Sequence, residues 1–226
     1  AEDFVKEVPE KLPFMATSCC PAWSVMAKKL FPEQANSISM ALTPMTLTAR
    51  LIKHHQPGAK VAFIGPCAAK KLEAMRRTVR SEVDFVLTFE EMAGIFEARH
   101  IDVNTLKEDP HGVNDASADG RNFAVSGGVA QAVVHVIKEK YPDREIKVAN
   151  AEGLSECRKL MMMAKAGKYN GYLLEGMACP GGCVAGAGTM QSIKKSSVAV
   201  NMYAKQAEHQ VATGTHHVAE LDKLVD

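Results

Sequence analysis

Short unbroken apolar runs alternate along the chain with stretches whose apolar residues recur at helical spacing. "VAFIG" (61–65) follows the turn-forming "QPGAK" and stops at Gly65-Pro66. Apolar runs of roughly four to eight residues between turn signals read as buried strands. "VDFVLT" (83–88), "EIKVANAEG" (145–153) and "GYLLEGMA" (171–178) read the same way. Helical spacing predicts helices over 22–31, 43–55, 68–77, 89–100, 126–141 and 155–167. In the second of these, Thr43 is a natural N-cap with Pro44 at the first helical position. The polar, Gly/Asp/Asn-rich stretch 101–124 reads as a long loop and as the boundary between lobes. Strands alternating with helices predict an α/β fold of two lobes, with mainly parallel sheets flanked by helices and the functional site in the cleft between them. No repeat or low-complexity tract interrupts the pattern.

Composition narrows the class. The chain has 226 residues, 46% hydrophobic, and a formal charge of +1. It carries no basic excess for a nucleic acid and no charge block for a disordered tail. Its apolar stretches are too short to cross a bilayer, and the start "AEDFVKEVPEK" is unlike a signal peptide. The expectation is a cytoplasmic protein without nucleic-acid or membrane partners. Six cysteines in that setting point to metal or redox chemistry, not to a disulfide framework.

Four cysteines sit beside proline or glycine: Cys20 before Pro21, Cys67 after Pro66, Cys179 before Pro180, and Cys183 after Gly181-Gly182. Two of these motifs directly follow predicted strands, and open α/β sheets bind ligands beyond the carboxyl ends of their strands. Four thiolates in glycine-rich surroundings suit an iron–sulfur cluster, with structural zinc as the alternative. Cys19 and Cys20 are adjacent, so in extended backbone their side chains point to opposite sides. Either they form a vicinal disulfide or the two sulfurs have different tasks. Cys157 lies outside every motif and reads as a buried structural thiol. His54-His55 and His216-His217 read as surface residues.

"TSCCPAW", "GPCAAKKLE" and "EGMACPGGCVAGAG", in that order, resemble the three signature motifs of [FeFe]-hydrogenases, and "SGGVAQA" resembles a glycine-rich segment of the same family. The resemblance covers nearly the whole chain. It implies an H-cluster, a [4Fe–4S] cubane linked through a cysteine sulfur to a di-iron subsite with CO, cyanide and azadithiolate. By position, Cys20, Cys67, Cys179 and Cys183 would hold the cubane, with Cys183 bridging. Cys19 would be the proton-relaying thiol, which assigns the neighbouring sulfurs separate tasks. Lys70 would direct its ammonium at a cyanide, and Met177 would pack against the di-iron unit. Ser39 matches a serine of the family's proton path, and Glu73 a glutamate close to Lys70. Of the upstream carboxylates, Glu2, Asp3, Glu7 and Glu10 are available, with none matched to the path.

The chain departs from the family pattern at four places. Gly65 stands where methionine is usual, which removes a thioether and opens space beside the cofactor. Ala69 replaces a small hydroxyl residue, Met45 a glutamine, and "GAGTM" the usual glycines before Gln-Pro. These changes resemble divergent, sensory members with slow turnover. The sequence is read as a partial H-cluster domain over 1–226, without the N-terminal part of the family domain and without ferredoxin modules. The resemblance implies H2 and protons as substrates or products, an electron-transfer partner such as a ferredoxin-like domain or protein, a signalling domain in the sensory case, and maturation proteins. Three functions follow: H2 sensing by slow H2 activation, catalytic H2 uptake or evolution, and a hydrogenase-like [4Fe–4S] protein lacking the di-iron subsite.

Overall fold

The computed structural model describes residues 1–107, 115–216 and 218–221. In chain order the elements are α1 (Glu2–Glu7), β1 (Met15–Ala16), α2 (Pro21–Leu30), α3 (Pro44–His55), β2 (Ala62–Ile64), α4 (Ala69–Met75), β3 (Phe85–Leu87), α5 (Phe89–Ala98), α6 (Ala118–Asn122), α7 (Gly128–Lys140), β4 (Lys147–Glu152), α8 (Leu154–Lys165), β5 (Tyr172–Met177), α9 (Ile193–Ala204) and α10 (Val218–Leu221). They form two parallel sheets, β1-β5-β4 and β2-β3. The α/β reading with parallel sheets flanked by helices therefore holds.

β5 is the central strand and explains its own composition. Leu173 through Met177 are all buried, as expected for a parallel strand covered on both faces. On one face α2 presses Trp23, fully buried, against Gly176, where a Cβ would overlap the indole ring. The indole N–H donates to the Thr17 carbonyl at 2.9 Å, so the polar end of the ring is satisfied in the core. On the other side Glu175, also fully buried, accepts 2.6 Å bonds from the Gly127 and Ala130 N–H groups. A strand carboxylate thus takes the place of an N-cap for α7, and Gly127 itself lies at φ 88. Elsewhere the caps are local: Thr43 and Pro44 start α3, and a full capping box of Thr88 and Glu91 starts α5.

Three expectations need correction. "VAFIG" and "VDFVLT" do form strands, but not buried ones: Ile64 is 46% and Phe85 57% exposed. A two-stranded sheet has too little area to bury its own residues on both faces, so the apolar runs reported strand and not depth. The stretch 101–124 is not all loop, since Val103–Thr105 forms a 3-10 turn and Ala118–Asn122 is α6, capped by Ser117; residues 108–114 lie outside the described residues. β1, α1 and α9 went unread because two residues are too few for a period and the helices' apolar positions are sparse. Among the described residues no helix is long and apolar enough to cross a membrane.

Candidate metal centre

The four motif cysteines arrive at one place because of how the strands end. Cys20 is the N-cap of α2, four residues beyond β1, and Pro21 at the first helical position forces it into extended backbone (φ −91°, ψ 106°). Cys67 lies between β2 and α4, Cys179 follows β5, and Cys183 opens the 3-10 turn Cys183–Ala185. Three of the four cysteine segments therefore leave the carboxyl ends of parallel strands, where α/β folds place ligands. The Cys20 Sγ accepts the Ala178 N–H at 3.4 Å, joining the first and third motifs. The Gly188 N–H donates to the Pro66 carbonyl at 2.9 Å, joining the third and second.

The Cys179–Cys183 loop needs its glycines. Gly182 has φ 93°, and a Cβ there would stand 2.6 Å from the Ser126 backbone nitrogen and 2.9 Å from the Ala124 carbonyl. Only glycine fits both demands. Gly181 N–H meets the Glu152 carboxylate at 2.6 Å, and its carbonyl accepts the Ser126 N–H at 3.1 Å.

Burial raises two of the motif thiols. Burial pushes the Cys183 thiol up to about 11, with neighbouring Cys67, Cys20 and Cys179 adding to the effect, and it also raises Cys179, with Cys20 and Cys67 adding. The four sulfurs are thus close enough to feel one another's charge. Yet among the described residues no three His, Cys, Asp or Glu side chains gather tightly enough to hold a single ion. A tetrahedral zinc site needs all its sulfurs on one metal, whereas each cubane thiolate takes a different iron. Four cysteine thiols beside proline and glycine suit the thiolate chemistry of an iron–sulfur cluster.

Cys19 and Cys20 separate as extended backbone requires. Cys20 is buried and turned to the third motif, while Cys19 is half-buried. Burial pushes the Cys19 thiol up to about 12; the nearby Glu175 carboxylate acts in the same direction and Lys70 opposes it. Both cysteines are free thiols, so the disulfide alternative falls. Lys70 and Glu73, 8% and 5% exposed, form an ion pair of 2.6 Å inside the protein. Lys70 Nζ also donates to the Cys19 carbonyl at 3.3 Å, tying the first motif to the second.

The remaining candidates divide. Ser39 is half-buried, and its Oγ accepts the Ala41 N–H at 3.2 Å; together with Glu73, Thr43 and Arg76 it lines a cavity of about 410 Å³. Met177 is buried in the main core beside Cys20 and Trp23, and its carbonyl accepts the Gly153 N–H. Ala69 is half-buried at the start of α4. Gly65 does not open space: the Phe63 ring stands 2.9 Å from where a Cβ would be. The sequence run hid this because residues two apart on a strand share a face. Cys157 is a fully buried core thiol, as expected, donating weakly to the Ala151 and Met177 carbonyls. His54, His55 and His216 are exposed, and His217 lies outside the described residues. Two site residues escaped sequence reading, Glu152 and Glu175. Carboxylates in strands give no signal until the partner backbone N–H groups are in place.

Comparison with known proteins adds four findings. Residues 1–187 match the family described as iron only hydrogenase large subunit, C-terminal domain. The periplasmic [Fe] hydrogenase large subunit of Nitratidesulfovibrio vulgaris is 30% identical over 215 residues, covering 76% of this chain and 50% of the relative. The cytosolic Fe-S cluster assembly factor NAR1 of Kluyveromyces lactis is 26% identical over 148 residues, covering 62% of this chain and 32% of the relative. A solved [FeFe]-hydrogenase, described for oxygen inactivation through its H cluster 2Fe subcluster, shares the fold at a TM-score of 0.73 and 22% identity, over 98% of this chain and 73% of that one. The chain spans about half the length, or less, of the curated relatives it matches.

Proposed function

Because the chain belongs to the iron only hydrogenase large subunit family, we propose that Cys20, Cys67, Cys179 and Cys183 hold a [4Fe–4S] cluster and that the protein activates H2 at a di-iron unit beside it. The observation that carries this reading is the buried Lys70–Glu73 pair bonded onto the backbone of Cys19. An ammonium costs too much to bury without a task or a full set of partners. Two of its three N–H bonds go to Glu73 and the Cys19 carbonyl, which leaves the third for an anionic ligand such as cyanide.

When bound, the di-iron unit would supply the oxidation of H2 to two protons and two electrons, begun by heterolytic cleavage. The chain's own residues move the proton. Cys19, kept protonated by burial, gives and takes a proton at its Sγ. Glu73 and Ser39 line one cavity and form its exit lane. Met177 packs the inner wall. Gly65, Ala69 and Met45 slow the chemistry, which suits H2 sensing in the cytoplasm with an electron-transfer partner and, in the same protein or another, a signalling domain.

Infrared spectra of protein matured with the azadithiolate cofactor, taken before and after H2, test this. Bands of CO and cyanide that shift under H2 are expected, with turnover well below that of catalytic members. Absence of those bands, with about four irons per chain, sinks H2 activation. One observation favours that second reading, a cubane-only protein: the Phe63 ring fills the space that the missing side chain at Gly65 would leave.

A further inference from the structure

Glu152 is the last residue of β4 and stands in register with Met177, the last residue of β5. Its side chain is exposed, and no motif includes it. Its Oε2 accepts the Gly181 N–H at 2.6 Å, in the middle of the Cys179–Cys183 loop. Other backbone groups in and just after that loop have backbone partners. The Gly181 carbonyl takes the Ser126 N–H, the Gly182 N–H bonds the Cys179 carbonyl at 3.0 Å, and the Val184 N–H bonds the Ala124 carbonyl at 3.1 Å. Glu152 is thus the one carboxylate among the described residues bonded to the backbone of this loop.

We propose that Glu152 is a positioning residue that lowers the reduction potential of the cluster held by Cys179 and Cys183. The inference rests on the cluster proposed above, and not on the di-iron unit. Cluster potentials follow net charge and the hydrogen bonds reaching the sulfurs. Glycine N–H groups in a ligand loop are the natural donors to those sulfurs. The carboxylate engages one such donor, Gly181, and sets a full negative charge beside an already anionic site. Both effects favour the oxidised cluster, because the added electron meets more negative charge and one donor fewer. Since Glu152 is exposed, its charge contribution weakens as salt rises.

The test uses the whole chain with a chemically reconstituted [4Fe–4S] cluster, in wild type, E152Q and E152A. Each is titrated with dithionite as reductant, the reduced cluster being followed by electron paramagnetic resonance. The midpoint is expected to move positive in E152Q, which keeps an acceptor for Gly181 but removes the charge. It is expected to move further in E152A, which also frees the N–H, and the gap between wild type and E152Q should shrink at high salt. Equal midpoints in the three proteins, at equal iron content, overturn the inference while leaving the cluster assignment intact. A wild type that assembles no cluster overturns both. In the metal-free protein the Gly181 amide should exchange with solvent faster in E152A. An unchanged rate there overturns the contact on which the inference depends.

Discussion

Lys70 and Glu73 are each almost wholly buried, and neither is tolerable alone. Replacing Lys70 with Met leaves an uncompensated carboxylate inside the protein and is expected to cost about 3–5 kcal/mol. Changing both, K70M with E73M, should recover most of that, because two apolar side chains leave no charge to desolvate. Urea unfolding of wild type, single and double variants measures it, and a single variant as unstable as the double would refute the pairing. Asp84 acts on the smaller sheet instead. It accepts the Val61 N–H at 2.8 Å and pairs with Lys53 at 2.9 Å and Lys60 at 3.2 Å, and those bonds hold its carboxyl well below the usual carboxylate range. Such a group stabilises the fold fully above its unfolded pKa of about 3.9, and the gain is lost as pH falls through the lower folded value. The stability difference between wild type and D84N should therefore be constant near neutral pH and close as the medium is acidified below about pH 4. Denaturant midpoints from pH 7 downward check the trend, and a gap that widens in acid would contradict it.

At the level of elements, the packing of α2 and α7 onto β5 is specific enough to fail predictably. G176A drives a methyl into the Trp23 ring and is expected to destabilise by about 1–3 kcal/mol, measured by thermal or chemical melting. E175A strips the Gly127 and Ala130 N–H groups of their buried acceptor, again at about 1–3 kcal/mol. G182A asks for a left-handed alanine against the 124–126 backbone, so the Cys179–Cys183 loop cannot close. Its iron and sulfide content after reconstitution should fall well below wild type. The sequence announced α3 by the local signal Thr43-Pro44 and α5 by helical spacing over 89–100. It could not announce the cap of α7, which comes from a residue 45 positions further along the chain. The cysteine motifs were legible for the same reason as α3: proline and glycine beside each thiol are local. Glu152 was not, because its partner N–H is 29 residues away. The emptiness expected beside Gly65 failed for a further reason, as the side chain filling it stands two residues back on the same strand face.

On the scale of the whole molecule, two parallel sheets of unequal strength meet around the thiols. The β1-β5-β4 sheet encloses the main core, whereas β2-β3 keeps Ile64 and Phe85 in solvent. Joining them are Lys70 on the Cys19 carbonyl and Gly188 on the Pro66 carbonyl, both at the cysteine motifs. The proposed cluster would therefore also tie the two sheets together, and reconstitution should raise the melting temperature of the β2-β3 region more than that of the core. The position of Trp23 has a consequence of its own. The only indole in the sequence is fully enclosed, three residues past Cys20 and one helical turn from the centre. The protein thus carries its own lamp. Its emission lies to the blue while α2 rests on β5, dims when a visible-absorbing chromophore occupies the neighbouring sulfurs, and shifts red only when the helix leaves the sheet. Loading and unfolding can be told apart by colour and brightness in one cuvette.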